Sequence, residues 1–234
     1  MNKFGMASPT AILTLLEETA AGHCDSIGYG LYELEDQGIG WVLISGAIDM
    51  IRYPVYKETI TIRTWISKYS LVKGYRENLI LDGDRNIIGR AKGIWAFYDI
   101  KNRRPVPVFE EIKSSWGLDE EVSTRANNEK ALMRIDDGFP EMELDIYRSD
   151  IDGNKHVNNI RYFHWMIESM PEEIVDNYYL KLINAKFISE APYGGKIQVF
   201  LKHGPDRETF SHTMKNTLNG KLCVIADSSW QRLK

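Results

Sequence analysis

Thr59, Ile60, Thr61, Ile62, Arg63, Thr64, Trp65 and Ile66 alternate between two sets of side chains, with Ile60, Ile62, Thr64 and Ile66 forming one of them. Successive side chains of an extended chain point to opposite faces, so this period of two reads as a β-strand with one face turned to a core. Further strands are expected over residues 75–81 and 87–98. Asp82, Gly83 and Asp84 between them are residue types that tight hairpin turns need. Upstream, Ser8 and Pro9 precede Ile12, Leu15 and Leu16, which gives an N-cap, a proline at the first helical position and an apolar stripe at helical spacing. Gly22 is the expected stop of that helix. The first half therefore reads as one helix followed by an antiparallel sheet.

The same order returns downstream. Asn158 precedes Ile160, Phe163, Ile167 and Met170 at helical spacing, Pro171 closes the segment, and strands are expected over residues 196–202 and 222–230. Ala91 stands four residues before Trp95 as Ala226 stands four before Trp230, a weak internal repeat in which both tryptophans read as core anchors. Residues 101–128 are polar and broken, with Pro105, Pro107, Glu120 and Glu121, and read as the connection. The expected division is a first domain over 1–128 and a second over 129–234. A helix with one apolar face is satisfied when an antiparallel sheet curls around it. The fold class expected is α+β: two helices, each wrapped by a curved antiparallel sheet, with the two copies joined edge to edge into one continuous sheet.

Bulk properties exclude several functions. The chain has 234 residues and a net charge of -4, so it lacks the basic field that nucleic-acid binding needs. Cys24 and Cys223 are the only cysteines and form no disulfide framework or zinc spacing, which points to a reduced, cytoplasmic protein without a structural metal. No leader pattern precedes the first helix and no run is long enough to span a bilayer, so a soluble, unprocessed chain without membrane insertion is expected. The five histidines do not combine with Cys or carboxylates at a ligand spacing, and neither a phosphate-binding glycine loop nor a Gly-x-Ser-x-Gly elbow occurs. No cofactor is expected.

The chemistry-bearing stretch is Asp150-Ile151-Asp152-Gly153-Asn154-Lys155-His156-Val157-Asn158-Asn159, which packs acids, amides and an imidazole into the turn before the second helix. Free backbone N–H groups at a helix start, at the positive end of its dipole, suit negative charge developing on a carbonyl oxygen. In an extended turn Asp152, Asn154 and His156 point the same way, offering an acid to orient water, an amide donor and a base near neutral pH. On residue chemistry alone the stretch also reads as helix caps beside a structural histidine.

That turn, with Arg161-Tyr162-Phe163-His164-Trp165-Met166-Ile167-Glu168-Ser169 after it, resembles the second-half signature of acyl-acyl carrier protein thioesterases: Asp-x-Asn-x-His-Val-Asn-Asn leading into a helix with Tyr, Trp and Glu-Ser. The first half resembles the family in His23 to Gly28, in Arg52-Tyr53-Pro54, in Thr64-Trp65 and from Trp95 through Arg103-Arg104-Pro105. The resemblance implies a tandem (double) hotdog and the hydrolysis of a fatty acyl thioester to free acid and carrier thiol. It assigns catalytic roles to Asp152, Asn154, His156 and Glu190, and an acyl pocket to the first hotdog, to which Trp41, Met50 and Tyr75 are candidate contributors. Plant members carry a cysteine after that glutamate, whereas Ala191 follows Glu190 here, which favours attack by water over a cysteine nucleophile. Asp152 competes with Glu190 as the base or as a nucleophile.

The implied partner is an acylated carrier protein, an acidic protein for which Lys101, Arg103 and Arg104 offer a local basic patch. A homodimer is a further expectation. Three alternatives remain: a coenzyme A thioesterase, a dehydratase on the same fold, and a noncatalytic acyl-binding sensor, which would need the slot without the polar tetrad.

Overall fold

A computed structural model describes residues 1–116, 118–120, 131–153 and 155–233. The chain divides into two compact units, Met1–Asn127 and Asn128–Lys234. Asn154 and residues 121–128 of the expected connection lie outside the described residues.

The first unit begins with α1 (Pro9–Asp25), capped by the Ser8 hydroxyl, which accepts from the Ala11 N–H at 3.1 Å. The helix passes Gly22, its expected stop, because His23 and Cys24 in its last turn engage the sheet, and this packing outweighs the roughly 1 kcal/mol intrinsic cost of an interior glycine. It buries Ile12, Leu16 and Ala20, while Leu15, expected on the apolar stripe, is exposed. A short α2 (Leu31–Asp36) leads into β1 (Ile39–Met50), followed by β2 (Thr61–Tyr69), β3 (Lys73–Leu81) and β4 (Ile87–Asp99). These pair antiparallel in the order β2-β3-β4-β1, and the hairpin expected at residues 82–84 joins β3 to β4 with Arg85 at φ 66°. The stretch read as a polar connection starts with β5 (Arg104–Pro105), which pairs with β4, and α3 (Glu110–Ser115). Val108, Ile112 and Trp116 from that stretch join Leu34, Ile66 and Phe97 in the core.

The second unit runs from β6 (Met142–Asp145) through α4 (Asn159–Glu168) and α5 (Glu172–Asn177) to β7 (Tyr178–Phe187), β8 (Lys196–His203), β9 (Thr209–Asn216) and β10 (Leu222–Arg232). The antiparallel order is β7-β10-β9-β8-β6. The buried face of α4 carries Tyr162, Phe163, Trp165 and Met166, so the expected Ile160 and Ile167 lie at its edges.

The repeat foreshadowed by the tryptophans holds to single-residue register. Trp95 pairs with Leu43 and Ile94 with Ser45, leaving Ile44 as an extra residue in β1. Trp230 pairs with Leu180 and Ser229 with Leu182, leaving Lys181 extra in β7. Each copy thus carries a bulge at the same place, and a bulge bends and twists its strand. Through this register Ala91 opposite Asn78 corresponds to Ala226 opposite His212.

His212 is fully buried with Nε2 2.8 Å from the Ser228 hydroxyl, and burial pushes its pKa down from 6.5 to about 4. The nearby Asp227 opposes that shift without reversing it. The folded state holds the imidazole neutral while the unfolded chain protonates near 6.5. Its contribution is therefore complete above that pH, declines as pH falls towards 4, and changes no further below it. The difference amounts to about 3 kcal/mol. Urea titrations at pH 7 and pH 4.5 should show His212→Asn, which installs the first copy's residue, losing less stability on acidification than the parent. Equal losses would remove His212 from the acid response.

Candidate active site

The turn before α4 is a closed loop. Asp152 donates its N–H to the His156 carbonyl at 2.9 Å, Lys155 donates to the Asp152 carbonyl at 3.0 Å, and Ile151 and Val157 form an antiparallel bridge. Lys155 takes a left-handed φ of 66°, strained for a residue with a Cβ, and this reverses the chain so that His156 runs back beside Asp152. The Asn158 side chain caps α4 by accepting from the Ile160 N–H at 2.7 Å.

Beneath the loop lies a buried carboxylate. The Asp150 side chain is wholly shielded from solvent, accepts from the Tyr147 N–H at 2.8 Å and lies 2.6 Å from Arg161 Nε on α4. The Arg161 contact lacks hydrogen-bond alignment, so its attraction is chiefly Coulombic. The Asp150 carbonyl accepts from the Asn158 N–H at 2.9 Å, which ties the acid to the helix cap. A buried acid held this way fixes the loop on the helix, since unpairing it would leave an uncompensated charge.

The loop is also pinned to the chain after β7. Val157 donates its N–H to the Ala191 carbonyl at 3.1 Å, while Ile188 and Ser189 hold the Cys223 carbonyl and the Ser189 hydroxyl donates to the Leu222 carbonyl. Residues 188–191 are thereby laid against the loop, and His156 Nε2 comes 3.1 Å from Glu190 Oε2. A carboxylate only accepts, so a neutral His156 carries its proton on Nε2 and donates it to Glu190. Both side chains stay partly open, at 30% and 41% exposure, whereas the imidazole Nδ1 is buried without a partner among the described residues. The water-facing member of the pair is therefore the carboxylate.

Of the four residues expected at the site, His156 and Glu190 are in contact. Asp152 belongs to the same loop through its backbone, and Asn154 lies outside the described residues. Ala191 is fully buried and its carbonyl is committed to the Val157 N–H. The nearby Cys223 is also fully buried, and burial raises its pKa, so it stays a thiol and supplies no substitute nucleophile. Sequence reasoning missed Asp150 as the buried anchor and Arg161 as its partner. Their i to i+11 separation across a loop and a helix start carries no periodic signal.

In the first unit, Met50 is buried and Trp41 packs on Phe97 with ring centroids 4.7 Å apart. Tyr75 alternates with the buried Gly74 and Arg76 and lies beneath the Lys68 ammonium, on the opposite face of β3. Of the three pocket candidates it is the one turned away from the face that meets α1. Among the described residues, no helix is long and apolar enough to cross a membrane.

The model of the acyl-ACP thioesterase N-terminal domain matches residues 4–116, and that of the acyl-ACP thioesterase C-terminal domain matches residues 135–232. An oleoyl-acyl carrier protein thioesterase of Coriandrum sativum, chloroplastic, is 25% identical over 244 residues, covering 97% of this chain and 66% of its own length. Oleoyl-acyl carrier protein thioesterase 2 of Arabidopsis thaliana, also chloroplastic, is 26% identical over 204 residues, covering 79% and 54% respectively. The chain thus spans from about half to two thirds of the length of these curated relatives. A crystal structure of an acyl-ACP thioesterase from Bacteroides thetaiotaomicron superposes with a TM-score of 0.89 at 22% identity, covering 99% of this chain and 93% of that one, which establishes the double-hotdog fold. With its N- and C-terminal domain models matched in order along nearly the whole described chain, the protein belongs to the acyl-ACP thioesterase family.

Proposed function

We propose that this chain hydrolyses fatty acyl thioesters of acyl carrier protein, releasing free fatty acid and the carrier thiol, at the site built around His156 and Glu190. The observation that carries the reading is the 3.1 Å contact between these two side chains, far apart in sequence and gathered at the start of α4. A water-accessible carboxylate held by an imidazole is equipped to take a proton from attacking water. Family membership supplies the bond to be broken, and the absence of a nucleophile at Ala191 makes water the attacking group.

The steps balance as a hydrolysis. Water adds to the thioester carbonyl while Glu190, held by His156 Nε2–H, takes its proton. The oxyanion is met by the positive end of α4, with the Asn154 amide as a further donor carried from the family motif. When the tetrahedral centre collapses, the C–S bond breaks and the proton held by the pair leaves with the sulfur as the carrier thiol. Asp152, its backbone locked to His156, orients the water. The acyl chain is assigned to the interior of the first unit, with Trp41 and Met50 among its lining.

His156→Ala and Glu190→Gln should each lower kcat by at least ~100-fold with a folded protein, followed by thiol release from carrier-bound acyl chains of increasing length beside the matching coenzyme A thioesters. Turnover near the parent's in either variant would take that residue out of the mechanism. Turnover of coenzyme A thioesters alone would move the substrate to the other carrier.

The carrier is proposed to dock on the turn between β4 and β5, where Lys101, Arg103 and Arg104 are exposed together. Charge reversal by Lys101→Glu with Arg104→Glu should raise KM for carrier-bound substrate several-fold at low salt and leave a small soluble thioester unaffected. The same rise for both substrates would count against docking there. A cytoplasmic location, supported by two unpaired cysteines, and a homodimer are part of the same proposal, read by fractionation and light scattering.

A further inference from the structure

The first unit buries a cation that the hydrolytic reading does not use. Arg76 on β3 is only 5% exposed, on the strand face that meets α1. Its Nη1 donates to His23 Nδ1 and to Thr64 Oγ1, both at 3.0 Å, and its Nη2 meets the Cys24 sulfur at 3.8 Å. The guanidinium lies over the Trp116 ring at 5.4 Å, and Trp116 in turn stacks on His23 with centroids 4.7 Å apart. Among the described residues no carboxylate balances this charge.

The neighbours do not neutralise it either. Burial, and then Arg76 itself, lower the His23 pKa, which leaves the imidazole neutral and able to accept. Burial raises the Cys24 pKa above its ordinary value despite the adjacent cation, so the sulfur remains a thiol. Arginine itself does not deprotonate in proteins. Two more buried donors stand close by: Trp116 Nε1, whose ring the guanidinium covers, and the Tyr69 hydroxyl, which burial keeps protonated despite the Arg76 charge, both without acceptors among the described residues. Unpaired buried charges and donors are costly, and a buried cation with two further unmatched donors beside it suits an acceptor-rich anion.

The duplicated fold supplies an internal control. Arg76 opposes Gly93 and Phe210 opposes Ser228, and the shared register makes Arg76 and Phe210 equivalent. In the second copy that place is filled by a phenylalanine 1% exposed. The scaffold therefore does not require a charge at this point of its core, and the bonds by which Arg76 ties the end of α1 to the sheet leave that charge unbalanced among the described residues.

We propose that Arg76 anchors a carboxylate-binding site inside the first unit, which takes the head group of an aliphatic carboxylate whose chain lies against the adjoining apolar cluster of Leu34, Ile66, Phe97, Val108 and Ile112. The Nε–Nη2 edge of the guanidinium, which meets the Cys24 sulfur at 3.8 Å and no oxygen among the described residues, matches the two oxygens of a carboxylate side-on. A single cation in an aromatic setting fits one negative charge better than the two of a phosphate monoester. The carboxylate has two sources: a free fatty acid, or the far-end carboxylate of a dicarboxylic acyl thioester.

The test uses the full chain and its Arg76→Met variant. Calorimetry with dodecanoate, below its micellar concentration, beside dodecanol should give tighter binding of the acid to the parent, and at least ~10-fold weaker binding of the acid alone to the variant. That result assigns the free acid. If instead kcat/KM for the carrier-bound monothioester of dodecanedioic acid falls at least tenfold in the variant relative to that for the plain dodecanoyl thioester, the far-end carboxylate is the ligand. Acid and alcohol binding alike, together with no selective loss for the diacid, overturns the site. Should Arg76→Met not fold, Arg76→Phe and a thermal shift of the parent by dodecanoate against dodecanol ask the same question. Turnover of the plain dodecanoyl thioester reports on the hydrolytic reading separately, and the binding arm stands without any turnover.

Discussion

One inserted residue in the strand beside each central strand governs the shape of both units. Ile44 in β1 and Lys181 in β7 are the extra residues at the register shifts, and in each case the bulge falls against a tryptophan, Trp95 or Trp230. The bend lets a sheet of long strands curl around one helix in place of running flat past it. With curvature set by the backbone, the residues lining each interior are free to diverge. At one equivalent position the first copy holds Arg76 and the second Phe210, and at another Asn78 stands against His212. Duplication supplied the scaffold twice, and the chemistry was then distributed unequally between the copies.

The parts legible in the sequence are those with a clean period or a local device. β2 and β3 alternate because one face is buried, the 82–86 hairpin is made by Asp82 accepting from the N–H groups of Asp84 and Asn86, and the Ser8 and Asn158 caps each close a helix start. β1 escaped because Ile39 to Met50 is apolar on both faces at its inner end and gives no alternation. β9 escaped for the opposite reason: Ser211, His212, Thr213 and Asn216 look like loop residues, yet each is buried, with Ser211 and His212 bonded to β10 and Thr213 and Asn216 accepting from the Ile135 and Leu218 N–H groups. α3 was hidden in a stretch whose composition is polar but whose Val108, Ile112 and Trp116 face inward.

The site divides in the same way. The turn before α4 announces itself by composition, and the left-handed Lys155 and the Asn158 cap follow from it. The partner of His156 does not, because Glu190 reaches it only through the register of β7 and the hydrogen bond from Val157 to Ala191. No spacing rule in the sequence encodes that approach. It was nameable beforehand only from the likeness of the motif to a family.

Three acids crowd this corner, and burial with partner choice sorts their roles. Asp150 is shielded completely and spends its oxygens on a backbone N–H and the Arg161 guanidinium, so it is committed to holding the loop on the helix. Asp152 is fixed through its backbone N–H to the His156 carbonyl, which ties its position to the loop. Glu190 is the most open of the pair it forms with His156 and is bound on one oxygen by a donor that is neutral when unprotonated. An acid wholly shielded in the core beside an arginine is out of reach of an attacking water. Glu190, 41% exposed and 3.1 Å from His156, is within reach of water. That difference in access is the ground for proposing Glu190 as the base and Asp150 as the anchor, although both are carboxylates beside the same helix start.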